Sequence, residues 1–462
     1  MTHSLERASI PVAVDESHLT DVGNAQRLVA RHGADLRYVF PWSRWLVWNG
    51  RCWLPDESGE VERRAKETLR ALLADADEIA DDKQRLATIK HTLDSERAGR
   101  IRGALELARS EDGIAAMPDQ FDADPMLLNV ANGVLELRSG EFREHNRGDL
   151  STKLVPVEYD PSATAPRWHA FLERVLPDAE VRAFVQRYLG YSLSGSTQEQ
   201  TFAILHGGGA NGKSTLLEVI RALLGDYGQQ APAETFLDHR DSIPNDVARL
   251  RGARFVAATE LTEGRRLNEA LVKRMSGGDA MVARFMRGEW FEFTMQGKVW
   301  LASNHLPTIR GTDEAIWRRI RLVEFGVTIP AEERDQHLAE KLRRELPGIL
   351  NWAIEGCLAW QTNGLGNPDA VVQATAGYRD EMDVLGGFLA DACVTTESAK
   401  AKASQLYDAY TSWASDNGER HPLTQQAFGR RLTERGFEQT RGTGGARWWT
   451  GIGIRTAYGA TE

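Results

Sequence analysis

Gly207, Gly212, Lys213 and Ser214 stand in the spacing Gly-x4-Gly-Lys-Ser, within HGGGANGKST. Glycines let backbone N–H groups close around phosphate oxygens without Cβ clashes. A lysine at this position reaches β- and γ-phosphates, and the following hydroxyl ligates Mg²⁺. The flanks are right as well. An apolar strand, Thr201–Leu205, precedes the loop, a helix over Thr215–Leu224 follows it, and Gly225 can cap that helix. This is the P-loop pattern in its strand–loop–helix context. The backbone of Gly207, Gly208, Gly209, Ala210, Asn211 and Gly212, with Lys213, Ser214 and Thr215, is therefore the expected site for a nucleoside triphosphate, with Mg²⁺ as its companion.

More reactive groups stand at the ends of later apolar runs. ARFVAATEL (253–261) brings Glu260 to a strand tip, suited to holding Mg²⁺ or polarising an attacking water. Many such strands end in two acids, but Thr259 takes the first place here. Either Glu260 does both jobs or the metal leans on Ser214. KVWLASNHLP (298–307) ends in Ser303 and Asn304, and an amide there can bond the γ-phosphate or its water. DEAIWRRIRLVEF (313–325) carries Arg318, Arg319 and Arg321, suited to spread charge on a transferring phosphoryl group, including in trans. Between these, LNEALVKRMSGGDAMVARFMRGEWFEF (267–293) reads as a helix, a Ser-Gly-Gly-Asp break and a hairpin with Arg287-Gly288-Glu289 at its tip.

The elements that position these residues occupy the middle of a chain of 462 residues, long enough for about three domains. With 42% hydrophobic and 26% charged residues, wholesale disorder is excluded. The net charge of −10 excludes a histone-like basic coat but not a local nucleic-acid site. Three scattered cysteines give no CxxC pair, hence no zinc ribbon or disulfide framework, and fit a reducing, cytoplasmic setting. No signal peptide and no run of 18 apolar residues is present, so no membrane role is expected. Residues 1–23 read as a loose arm. PWSRWLVWNGRCWLP (41–55) reads as a hairpin about a type I′ Asn49-Gly50 turn, its Trp45, Trp48 and Trp53 forming a small core rather than a base-stacking surface. Residues 61–110 are helical in composition. Asp122 and Asp124 match a paired-carboxylate metal spacing, but the proline that follows favours a turn. PVEYDPSATAP (156–166) and QTNGLGNPD (361–369) read as breaks, and a helical stretch runs from Trp168 to Leu193.

In an acidic chain, Arg420–Arg455 stands out with seven arginines against Glu434 and Glu438. Leu406, Tyr407, Tyr410 and Trp413 are spaced for one helix face. Thr424 and Gln425 open a second helix bearing Arg430 and Arg431. Arg441–Gly445 would be a wing tip, and Arg447–Trp449 its return strand. Helix, helix, hairpin is the order of a winged helix, whose basic surface suits phosphate contacts; use of such folds in protein–protein contact is the competing reading.

Taken in order, GGGANGKS, RFVAATE, LVKRMSGGD, KVWLASNHLP and WRRIRLVEF resemble the phage, plasmid and poxvirus-type primase-helicases, whose motor is a superfamily 3 helicase of the AAA+ class. The resemblance implies an α/β AAA+ P-loop motor over 166–365, an α+β helicase-associated N-terminal domain over 24–165 and a C-terminal winged helix over 375–462. It implies a Walker A at Gly207–Ser214, a Walker B acid at Glu260 and a sensor at Asn304. The arginine finger maps to Arg318, with Arg319 next. Lys273 falls at the family's basic position before Gly-Gly-Asp, and Arg284 and Arg287 on a DNA-gripping hairpin. DNA contacts are also expected at Arg430, Arg431, Arg441 and Arg447. The whole implies a ring, expected to be a hexamer, that unwinds single-stranded and forked DNA 3′ to 5′ in a phage, prophage or plasmid replication system. The resemblance also points to a bacterial cytoplasm, and to a separate primase or polymerase as partner. With no room for a primase domain upstream, the chain is expected to lack primase activity of its own. The competing readings are an AAA+ origin-binding initiator or remodeller without processive unwinding, and a DNA-binding regulator that uses nucleotide as a switch.

Overall fold

The computed structural model describes residues 18–238, 244–260, 264–284, 290–311, 313–417, 422–442 and 445–455. Its centre is a five-stranded parallel sheet: β1 (Phe202–His206), β2 (Gly228–Pro232), β3 (Phe255–Thr259), β4 (Lys298–Ser303) and β5 (Ile320–Glu324), in the spatial order β5-β1-β4-β3-β2. The inner strands β1, β3 and β4 are apolar and buried on both faces, as a covered parallel sheet requires. Phe202, Ile204, Val256, Ala258, Val299 and Leu301 enter one core, and the alternate residues enter the other. Edge strand β2, Gly-Gln-Gln-Ala-Pro, has no such run.

The helix Lys213–Leu224 directly follows the β1 loop and buries Leu216, Leu217, Ile220 and Leu223. Gly225 ends it with φ 52°. The expected helical stretch before β1 is two helices, Pro166–Val175 and Ala179–Leu193, separated at Pro177. The second packs along Leu346–Asn363, so closely that a Cβ on Gly190 would overlap the Cys357 backbone nitrogen. Two cations cap its carboxyl end from the starts of β3 and β4. Arg254 Nη1 donates to Leu193 O at 2.7 Å. Lys298 Nζ donates to the carbonyls of Ser194, Ser196 and Gln296 at 2.5, 3.0 and 3.1 Å.

Upstream, helices Asp21–His32, Glu60–Asp75, Asp82–Ser95 and Ala98–Ala108 adjoin a four-stranded sheet. The Trp hairpin forms, with Trp48 opposite Trp53, but the loop is four residues, Asn49–Cys52, rather than a two-residue type I′ turn. The Asn49 carboxamide accepts the Arg51 and Cys52 N–H groups, which widens it. Trp53 is fully buried and Trp48 half-buried, a core use. Asp122 accepts from the Thr152 N–H at 2.8 Å, and Asp124 takes the Arg138 fork at 2.8 and 3.0 Å. These carboxylates therefore brace loops, as the proline suggested.

Downstream, helices Val384–Ala392, Ala403–Asp416 and Gln425–Glu434 share a core with a three-stranded sheet ordered Lys400–Lys402, Arg447–Thr450, Glu438–Arg441. Leu406, Tyr410 and Trp413 face that core, and Thr424 caps the helix Gln425–Glu434. Cys52, Cys357 and Cys393 are buried free thiols. Among the described residues no helix is long and apolar enough to cross a membrane.

Candidate nucleotide and nucleic-acid sites

All five strands point their carboxyl ends to one edge, and the Gly207–Ser214 loop lies there. At β1 the sheet order reverses direction, the place where open α/β sheets leave a crevice. Gly207 has φ 151°, and a Cβ there would stand 2.4 Å from Phe325 O. Gly212 has φ 89°, and a Cβ would meet Val175 at 2.7 Å and Phe171 at 3.0 Å. Neither position accepts a side chain. The loop is strapped from behind by Asn211 Nδ2 donating to Phe325 O at 3.1 Å and Ile329 N donating to Ala210 O at 2.8 Å. In front, a Cβ at Gly208 or Gly209 would touch nothing within 4 Å, so the concave side is open.

Lys213 folds into this concavity. Its Nζ donates to Gly207 O (2.7 Å), Gly208 O (3.0 Å), Asn211 Oδ1 (3.0 Å) and Asn304 Oδ1 (3.1 Å). Burial pushes its pKa below the ordinary lysine value. Lys213 and Asn304, 91 residues apart, are thus in contact, while Ser214 is exposed and Thr215 half-buried on the helix's first turn. Glu260 lies just past β3 at the same edge, exposed, its N–H bonded to Ala302 O at 3.2 Å on β4. Its φ of 67° is left-handed for a non-glycine residue, a strain of about 1–3 kcal/mol that clusters at functional sites.

The arginines separate sharply. Arg318 ends the helix Glu314–Trp317, is exposed, and donates to Gln200 Oε1 at 3.2 Å. It precedes β5, on the opposite edge of the sheet from the Gly207–Ser214 loop of its own chain. Arg319 is buried. Its Nε donates to Ser276 Oγ at 3.0 Å, Nη1 to Ala315 O at 2.5 Å and Nη2 to Gln200 Oε1 at 3.3 Å. This corrects its nomination as a second finger, because every nitrogen is committed inside the fold. Arg321 is half-buried, bonded to the Arg318 and Ile320 carbonyls.

The ribbon Ala280–Arg284 and Trp290–Thr294 forms in register, Arg284 opposite Trp290. Arg284 is exposed and lies 4.8 Å over the Trp290 ring, itself 55% exposed. Arg287 lies outside the described residues. Lys273 does not stand free for DNA: its Nζ bonds Asp313 at 2.8 and 3.1 Å. In the C-terminal part Arg430, Arg441 and Arg447 are exposed, and Arg441 pairs directly opposite Arg447. Arg431 is a correction. It is buried and donates to Arg310 O, tying this part to the central unit, so it has no face for phosphate. The periodicity carried that signal, since Arg431 follows buried Phe428 by three positions and precedes buried Leu432. Gln200 and Asp313 were missed entirely, being unremarkable loop residues by type.

Three family models match in order along the chain: D5 N terminal like over residues 25–177, a family of unknown function over 205–319, and Poxvirus D5 protein-like over 380–449. A protein of Acanthamoeba polyphaga mimivirus named "Putative helicase" is 29% identical over 323 residues, covering 64% of this chain and 34% of its own length. An African swine fever virus protein named "Putative primase" is 26% identical over 365 residues, covering 71% of this chain and 37% of its own. The chain thus spans about a third of the length of these relatives. The apo structure of the NrS-1 C-terminal region superposes with a TM-score of 0.50 at 10% identity, over 94% of this chain and 99% of that one, a likeness of fold. With D5-type models matching near both ends, and with relatives named as putative helicases and primases of large DNA viruses, the chain is similar to the D5-like primase-helicases.

Proposed function

We propose that this chain is an ATP-driven DNA helicase motor of the superfamily 3, AAA+ type, working in replication as a ring. The observation that carries the reading is the split of the catalytic set between two edges of one sheet. Lys213, Asn304 and Glu260 gather at the carboxyl edge, and exposed Arg318 stands at the other. Such a set is complete only when a second copy brings its Arg318 to the first copy's phosphate loop, which favours a closed ring, here a hexamer.

The loop suits a nucleoside triphosphate. Its concave side is open, and Lys213 already holds four oxygen acceptors where phosphate oxygens would sit. Ser214 and Glu260 would hold Mg²⁺, which when bound neutralises phosphate charge during phosphoryl transfer. Lys213 would withdraw from its carbonyls to the β- and γ-phosphates, with Asn304 orienting the attacking water. As water oxygen bonds to γ-phosphorus and the bridging P–O bond breaks, Glu260 accepts the water's proton and Arg318 of the neighbour stabilises the departing charge. The exposed Arg284–Trp290 ribbon, with Arg287, suits the DNA strand in a ring's channel, a cation and a stacking surface together. Travel along that strand is proposed as 3′ to 5′.

The C-terminal part is proposed as a winged helix that contacts duplex phosphates through Arg430, Arg441 and Arg447. Directly opposed arginines on a ribbon repel one another unless a polyanion lies across them. Unwinding, and no primer synthesis, is the activity assigned to these residues. A separate primase or polymerase is the expected partner, in the cytoplasm of a bacterial host of a phage or plasmid. Lys213→Ala should abolish ATP hydrolysis, and Glu260→Gln should keep ATP bound while blocking turnover. Wild-type turnover by Glu260→Gln would overturn the assignment of that residue.

A further inference from the structure

The helix Glu269–Gly277 buries Leu271, Val272 and Met275 and turns a polar face the other way. That face, positions 269, 273 and 276 at i, i+4 and i+7, meets the segment that leads from the sensor to Arg318 at every turn. Glu269 Oε1 accepts the Arg310 and Gly311 N–H groups, both at 2.9 Å. Lys273 bonds both oxygens of Asp313. Ser276 Oγ accepts from Arg319, the residue next to Arg318.

Asp313 is also the N-cap of the helix Glu314–Trp317, accepting the Ile316 N–H at 3.0 Å, and Arg318 is the first residue past that helix. The Lys273 ammonium therefore fixes the start of the one turn whose end carries Arg318. The helix Glu269–Gly277 stops at Gly278, φ 76°, and the ribbon begins at Ala280.

We infer that the helix Glu269–Gly277 is a polar rail that sets the position of Arg318, and that Lys273 is a positioning residue acting on Asp313 rather than a DNA contact. The inference rests on the reading of Arg318 as a finger. It gives the basic residue before Gly-Gly-Asp a task that its sequence position did not suggest. It also places the DNA ribbon and the finger on one connecting element.

The test is a double-mutant cycle in the full chain. Lys273→Met removes the charge. Asp313→Asn keeps an N-cap, since asparagine caps as well as aspartate, and removes only the partner charge. Each should lower kcat for ATP hydrolysis on the order of tenfold, below the roughly hundredfold that a 1 Å misplacement can cost, with KM for ATP unchanged. The double variant should be no worse than either single one, Lys273→Arg should restore most of kcat, and affinity for a single-stranded oligonucleotide should stay at wild type in all four. Additive losses, or a fall in oligonucleotide affinity in Lys273→Met alone, would overturn the inference and return Lys273 to DNA. Arg318→Ala run alongside separates the two levels. If it hydrolyses ATP at the wild-type rate, the finger reading has failed and takes this inference with it. If it is dead while the cycle is additive, only the rail has failed.

Discussion

Replacing Arg318 by alanine tests the proposed assembly directly. The strand β1 spans four residue steps from Phe202 to His206, about 13 Å at 3.3 Å per residue. Arg318 precedes β5, whose first residue pairs with Phe202, while the Gly207–Ser214 loop follows His206. The gap between Arg318 and its own Lys213 therefore exceeds the length of the strand, and no arginine rotamer spans it. An arginine delivered in trans to a transferring phosphoryl group contributes about 10³–10⁵ in rate, or about 4–7 kcal/mol of barrier. Arg318→Ala should bind ATP normally, unfold at the wild-type temperature and barely hydrolyse ATP. Lys213→Ala subunits have dead loops but sound fingers. Random mixing of the two variants at equal amounts gives about one interface in four with an intact loop facing an intact finger, so activity should recover toward a quarter of wild type. Arg319→Ala should behave differently, losing roughly 1–3 kcal/mol of stability because its charged hydrogen bonds to the buried Ser276 hydroxyl and the part-buried Ala315 carbonyl are lost. The measurements are steady-state ATPase on mixed samples, with co-assembly checked by size, and thermal unfolding of each variant. Co-assembled mixtures that never regain activity would refute the trans finger.

Two further outcomes follow from the geometry. Gly212→Ala should cost roughly 1–3 kcal/mol through its left-handed φ and the Val175 and Phe171 contacts, and should weaken ATP binding; unchanged thermal unfolding would show that the loop relaxes freely. Arg430→Glu should weaken duplex affinity and flatten its salt dependence without changing thermal unfolding, whereas Arg431→Leu should destabilise by roughly 1–3 kcal/mol because the charged hydrogen bond from Arg431 to Arg310 O is lost; equal loss of DNA affinity by both would put Arg431 back on the DNA surface.

Much of this site is legible in the chain because the inner strands of the central sheet are apolar runs ending in polar tips. Phe202–His206, Phe255–Thr259 and Lys298–Ser303 each declare themselves that way, and glycines at positions 207 and 212 mark backbone that a side chain would block. Strand β2 does not, since Gly-Gln-Gln-Ala-Pro at a sheet edge needs no apolar face. Trp-Arg-Arg-Ile could not say which arginine turns inward. That depends on where a four-residue helix ends and on Ser276, 43 positions away. Lys273 looked like a free cation for the same reason, its partner Asp313 lying 40 positions away. Local residue types show where charges are; which of them are paired is settled by contacts over long separations.

The central proposal, that turnover at Lys213 and Glu260 drives strand separation, is met most directly by strand displacement on a forked duplex with ATP and Mg²⁺. The wild-type chain should release the displaced strand when the fork carries a 3′ tail, and Glu260→Gln should bind the same fork without releasing it. A wild-type chain that hydrolyses ATP and binds the fork, yet releases no strand from either polarity, would contradict the account and favour an initiator that remodels DNA without unwinding it.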